Sequence, residues 1–122
     1  MANRKRGRWP TEGKLEHMHG EQYHGVAVDP VPITAGEKVT VLYDGLLAKS
    51  GADQVWLHVG YGPADNWQNV AEYPMEKTGW GFVKKLRVEG TTRLNFCFRD
   101  SANNWDNNNG LNWSYEIHSG KL

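Results

Sequence analysis

Arg93-Leu-Asn-Phe-Cys-Phe-Arg99 alternates without a break. In an extended chain successive side chains point to opposite faces, so Leu94, Phe96 and Phe98 share one face and Asn95, Cys97 and Arg99 the other. Gln54-Val-Trp-Leu-His-Val59 repeats the pattern, with Val55, Leu57 and Val59 set against Trp56 and His58. Lys38-Val-Thr-Val-Leu-Tyr43 does so through Val39, Val41 and Tyr43. Phe82 to Val88 is a longer, more mixed run, and Trp113-Ser-Tyr-Glu-Ile117 is the last. Turn residues separate these runs, among them Pro30, Pro32, Gly36, Asp44-Gly45, Ser50-Gly51, Gly62-Pro63, Gly79, Gly90 and Asn109-Gly110. No segment carries a sustained 3.6-residue period with caps. Several short strands at this spacing predict an all-β sandwich.

Length and charge narrow the function. The 122 residues fit one domain. Fourteen Lys and Arg balance fourteen Asp and Glu, and a neutral chain is a poor match for nucleic acid. No apolar run is long enough to span a membrane, and the single Cys97 has no partner for an intramolecular disulfide. Residues 1–25 carry Arg4, Lys5, Arg6, Arg8 and Lys14 against Glu12, Glu16 and Glu21, with few apolar side chains. A basic, flexible N-terminal arm over residues 1–24 is expected, followed by a domain over 25–122. The arm reads as a solubilising tail; the alternative is contact with nucleic acid or an anionic surface. Met1 and the unpaired Cys97 favour the cytoplasm, or secretion if the chain is a fragment of a larger exported enzyme.

The unusual feature is six Trp and fourteen Gly in a chain of mean hydropathy −0.70. Polar chains that keep many large aromatics tend to display some of them. If Val55, Leu57 and Val59 face the core, Trp56 and His58 point outward, unless another segment covers Trp56. After this run, Gly60-Tyr-Gly-Pro-Ala-Asp-Asn-Trp67 places Tyr61 and Trp67 in a Gly/Pro loop, where a ring either plugs the end of the sandwich or stands exposed as a platform. A second loop, Arg99-Asp-Ser-Ala-Asn-Asn-Trp-Asp-Asn-Asn-Asn-Gly110, holds five Asn around Trp105. Turn chemistry accounts for several of the Asn but not for the Trp. Trp80, Trp113, Tyr43, Phe82, Phe96, Phe98 and Tyr115 are expected to build the core or cover its ends; Trp9 stays unassigned.

Rings on loops, an outward His and a field of amides suit sugars, whose C–H faces stack on aromatics while their hydroxyls bond to polar side chains. Covering one Trp face removes on the order of 100 Å² of apolar surface, worth ~2–3 kcal/mol. Two platforms and a few net hydrogen bonds lead to micromolar-to-millimolar affinity, which suits a module that gains avidity on a polymer.

Three stretches carry a family resemblance: Val39-Thr-Val-Leu-Tyr-Asp-Gly45; Val55-Trp-Leu-His-Val-Gly-Tyr61 followed by Trp67; and Leu94-Asn-Phe-Cys-Phe-Arg-Asp100 with Asn103-Asn-Trp-Asp-Asn107. Over about residues 25–117 the chain resembles a carbohydrate-binding module of family 25, the starch-binding type related to families 26 and 53. The resemblance implies an immunoglobulin-like antiparallel β-sandwich that binds α-1,4-glucans (starch, glycogen, maltooligosaccharides) without catalysis and without a cofactor. It also implies a site of one His and two Trp, which fall on His58, Trp67 and Trp105. Tyr61, Asn103, Asn104 and Asn107 are expected to complete a polar rim.

The alternatives are specific. Glycoside hydrolysis needs two carboxylates at a working separation, and Asp65, Glu72, Asp100 and Asp106 are available. Cys97, mid-strand among apolar residues, reads as an inert thiol. His17, His19 and His24 have poor spacing for structural zinc, and a calcium-loop register counted back from Gly110 puts Trp105 where the first Asp belongs, so no metal site is expected.

Overall fold

The computed structural model describes residues 25–119. The basic arm expected over residues 1–24, with Trp9 and the three arm histidines, lies outside the described residues. The elements are β1 (Val26–Asp29), β2 (Ile33–Thr34), β3 (Lys38–Tyr43), the short helix α1 (Leu46–Lys49), β4 (Val55–Tyr61), β5 (Gln68–Pro74), β6 (Glu76–Thr78), β7 (Gly81–Arg87), β8 (Arg93–Asp100), β9 (Trp105–Asp106) and β10 (Trp113–His118). They form two sheets. One has the order β1-β3-β7-β6; the other runs β2-β10-β8-β4-β5, with β9 added to β8. The fold is an all-β sandwich. One pairing departs from a purely antiparallel arrangement, since β2 runs parallel to β10 through Ile117 opposite Ile33.

The five alternating runs of the sequence are β3, β4, β7, β8 and β10. Their apolar rows meet between the sheets: Val39, Val41 and Tyr43, then Val55, Leu57 and Val59, then Leu94, Phe96 and Phe98 are all buried. Each such side chain contributes roughly 1.5–3 kcal/mol by leaving water. Tyr43 stacks on Phe98 with ring centroids 3.9 Å apart, and Phe98 meets the Trp113 ring edge-on at 5.3 Å. Trp80 does something else. It packs over Ala27, Leu42 and Val83, a second small cluster on the opposite face of the β1-β3-β7 ladder.

The strands that alternation missed lack a long buried row. β5 is the edge of its sheet and is largely exposed, so nothing in its own residues marks an inward face. It is nevertheless central to the site. In its pairing with β4, His58 stands opposite Glu72 and Trp56 opposite Pro74. Between Val59 and Tyr61 the register shifts: two steps along β4 face three along β5, from Ala71 to Gln68. Asn69, in this bulge, has the left-handed φ of 53°.

Candidate functional site

The outward positions of β4 are Trp56, His58 and Gly60, and they line the outer face of the five-strand path. Gly60 matters for what it lacks. A Cβ built there would lie 2.7 Å from Cβ of Trp67 and 2.8 Å from its Cε3, so the Trp67 ring lies over the bare glycine. The Trp67 indole N–H donates to the Ala64 carbonyl at 2.8 Å, tying the ring to its own loop. The loop in turn is docked on β8. Its Gly62 N–H donates to the Arg93 carbonyl at 3.0 Å, and the buried Asn95 side chain donates to the Gly62 carbonyl at 3.0 Å.

Trp105 reaches the same face from the other side. In β9 it lies opposite Arg99, while Asp106 lies opposite Phe98 and therefore points inward. The buried Asp106 carboxylate accepts the Tyr43 hydroxyl at 2.5 Å and the Asn108 N–H at 3.2 Å. That inward anchor leaves the neighbouring Trp105 ring facing out, 45% exposed. The His58 ring sits by both Trp rings: 5.2 Å from Trp105, edge-on at 88°, and 6.0 Å from Trp67, tilted by 36°. The three residues expected from the sequence are thus one aromatic cluster.

Below this cluster lies a polar chain that sequence reading did not assemble. His58 Nδ1 is 2.9 Å from Glu72 Oε2. Arg99 grips both oxygens of the same carboxylate, with Nε at 3.1 and 3.0 Å and Nη2 at 2.8 Å. The Arg99 guanidinium also lies 4.4 Å from the centre of the Trp56 ring, a cation–π contact that leaves Trp56 half-buried. Arg99, followed by the His58 hydrogen bond, holds the Glu72 carboxyl below its ordinary range. Cys97 stands opposite His58 in the β4–β8 register and is buried; desolvation pushes its thiol up to about 12, which makes it a neutral floor and not a nucleophile.

Tyr61 corrects the expected rim. It is 5% exposed and belongs to the core, its hydroxyl accepting the Glu89 N–H at 3.1 Å and donating to the Arg87 carbonyl at 3.4 Å. The reason is parity: Tyr61 is two residues beyond Val59 and shares its inward face. Of the two placements open to ring residues here, Tyr61 takes the plug, while the Trp67 ring lies half-buried over Gly60 on the outer face.

The amides are mostly loop chemistry. Asp100 Oδ1 accepts the N–H groups of Ala102 and Asn104 at 2.9 and 2.8 Å, and its Oδ2 accepts the Asn104 side chain at 3.0 Å. These donors, led by the Asn104 N–H, hold the Asp100 carboxyl below its ordinary range. Asn107 Oδ1 accepts the Gly110 N–H at 2.9 Å, closing the next turn. Asn103, Asn108, Asn109 and Asn112 all have positive φ, which Asn tolerates better than most residues. The side chains of Asn104 and Asn107 therefore brace the loop that presents Trp105. As for the carboxylates, a glycosidase acid needs a raised pKa, and Glu72 and Asp100 are both shifted the other way. Among the described residues no three His, Cys, Asp or Glu converge as a metal site.

Two comparisons bear on this geometry. Residues 39–96 match the family model of a starch/carbohydrate-binding module, family 53. This is one of the families named beside family 25 as the same starch-binding type; family 25 itself is not the model that matches. The match spans β3 to mid-β8 and so takes in His58, Trp67 and Glu72. An α-amylase of Clostridium acetobutylicum is 35% identical over 94 residues, which is 77% of this chain and 12% of the amylase. The chain thus spans about an eighth of the length of that curated relative. No solved structure matches the chain significantly.

Proposed function

We propose that this domain binds α-1,4-glucans such as starch, glycogen and maltooligosaccharides, and does not cleave them. One observation carries the reading: His58 flanked by Trp67 and Trp105 on one outer sheet face, within a chain that matches a starch-binding family model. The two indoles cover the apolar faces of successive sugar rings, and His58 bonds a hydroxyl between them. The Asn103–Asn107 segment frames Trp105, with Asn103 offering its side chain at the rim. The finer assignment to family 25 rests on the motif resemblance in this same His and Trp set. No charge on the ligand is needed, in keeping with the neutral chain.

The amylase match supports the role of a module carried by, or acting beside, a glucan-degrading enzyme. The cytoplasmic expectation, which rested on Met1 and one Cys, draws no support from it. Affinity electrophoresis through gels containing amylose or glycogen tests the reading. Retarded wild type and unretarded Trp105→Ala are expected. Unretarded wild type, or a variant migrating like wild type, sinks it.

A further inference from the structure

We propose that Glu72, clamped by Arg99, is a positioning residue that holds His58 in the Nδ1–H tautomer, so that Nε2 presents a lone pair to a hydroxyl donor of the ligand. The inference deepens the glucan reading and rests on it for the identity of the hydroxyl.

The argument is one of donors and acceptors. An ionised carboxylate only accepts, so a contact of 2.9 Å between Glu72 Oε2 and His58 Nδ1 requires the proton on Nδ1. Arg99 keeps the carboxylate ionised and stationary. Its fork closes on both oxygens, its Nη1 donates to the Asp100 carbonyl at 3.2 Å, and its plane is backed by the Trp56 ring. A neutral imidazole with its proton on Nδ1 has an acceptor at Nε2. Among the described residues no hydrogen bond is made to that nitrogen, and the rings beside it are those of Trp67 and Trp105. The opposite tautomer would set the Nδ1 lone pair against the carboxylate. The chain Trp56–Arg99–Glu72–His58 is then a brace that turns a group able to play either role into a dedicated acceptor. Its members come from three neighbouring strands, β4, β5 and β8, in direct cross-strand register.

Long-range ¹H–¹⁵N correlation spectra of the free protein at neutral pH, with His58 assigned by its loss in His58→Ala, read the tautomer directly. Wild type is expected as Nδ1–H. Glu72→Ala and Glu72→Gln are expected to give a mixture with Nε2–H, because neither forces the proton onto Nδ1. Affinity for a maltooligosaccharide is expected to fall about three- to tenfold in both, in line with one lost hydrogen bond. Arg99→Lys, which keeps the charge but not the fork, should fall between them and wild type. A bystander role for Glu72 predicts the same tautomer in all proteins, and that result overturns the proposal, as does unchanged affinity once the tautomer has shifted. Folding of each variant is checked by the Phe and Trp ring signals of the core. A wild type that binds no maltooligosaccharide overturns the glucan reading and the hydroxyl half of this proposal together; a wild type that binds, with variants of unchanged tautomer, overturns the positioning role alone.

Discussion

The two tryptophan loops reach the same surface by different means. The β4–β5 loop is fastened by neutral groups only: Gly62 to Arg93, Asn95 to Gly62, Asn66 to Pro63, and Trp67 to Ala64. Its ring rests on the vacancy at Gly60. The β8–β10 loop is fastened by two carboxylates. Asp100 gathers the Ala102 and Asn104 donors, and Asp106 reaches through the sheet to Tyr43. Trp67 is thus seated from beneath, whereas Trp105 is aimed by its neighbour in sequence, whose opposite parity is locked in the core. Shape seats the first ring, and charge-assisted hydrogen bonding orients the second.

The largest test of this contrast is deletion of the more exposed ring, the platform of the proposed glucan site. Trp105→Ala should lower glucan affinity by roughly 30- to 100-fold, the worth of one covered indole face, with little change in Tm. Isothermal titration with a maltooligosaccharide measures it. A loss below threefold would mean that Trp105 is not a platform.

Next comes the anchor. Tyr43→Phe removes the hydroxyl that serves Asp106 and that also accepts the Leu47 N–H at 2.9 Å. With a buried carboxylate left short of a donor, stability should fall by about 1–3 kcal/mol in a denaturant titration. Trp105 fluorescence should redden or broaden while Trp67 stays in place. An equal disturbance of both loops would erase the distinction between them.

Gly60→Ala attacks the seat of the other ring without replacing that ring. Gly60 has no left-handed φ, so the backbone accepts Ala, but the new methyl collides with Trp67. Affinity should fall about three- to tenfold, near 1 kcal/mol, with Trp105 unaffected. Wild-type affinity would show that the seat of Trp67 is not what positions it.

The smallest effect is that of acid. Asp100 is held below its ordinary range by loop N–H groups, and Glu72 by Arg99. A lowered folded-state pKa means that the contribution is complete above the ordinary value and is lost as pH falls through the lowered one. The protection factors of the Ala102 and Asn104 amides, corrected for the intrinsic slowing of exchange in acid, should therefore fall as the pH drops below the ordinary carboxylate range, while those of Gly62 and Asn66, held by neutral partners, stay as they are at pH 6. Parallel loosening of both loops would show that the carboxylates do not separate them.

Much of this was legible in one dimension. Alternation in Val55–Val59 and Leu94–Phe98 put the right residues in the core, and it put His58 outward. Applied two residues further, the same rule would have buried Tyr61, whose place in a Gly/Pro loop obscured its parity. Trp105 stood out because no apolar pattern explained it. The Asn-rich stretch misled in part, since the same amides serve turns as readily as ligands, and here Asn104 and Asn107 close turns. Glu72 and Arg99 stayed hidden as a pair. They are 27 positions apart, and Glu72 lies on an edge strand with no buried row to announce it.

The sequence by itself determined the two-sheet architecture, the inward rows and the outward facing of His58, because side-chain parity is a local property of extended backbone. Only the tertiary structure decided that Glu72 stands opposite His58, that Arg99 stands opposite both Trp56 and Trp105, and that Trp67 comes to rest on Gly60. Register is settled between strands far apart in the chain, by the bulge beside Gly60, the pairing of β9 on β8 and the docking of two loops. No residue's own neighbours in sequence contain that information.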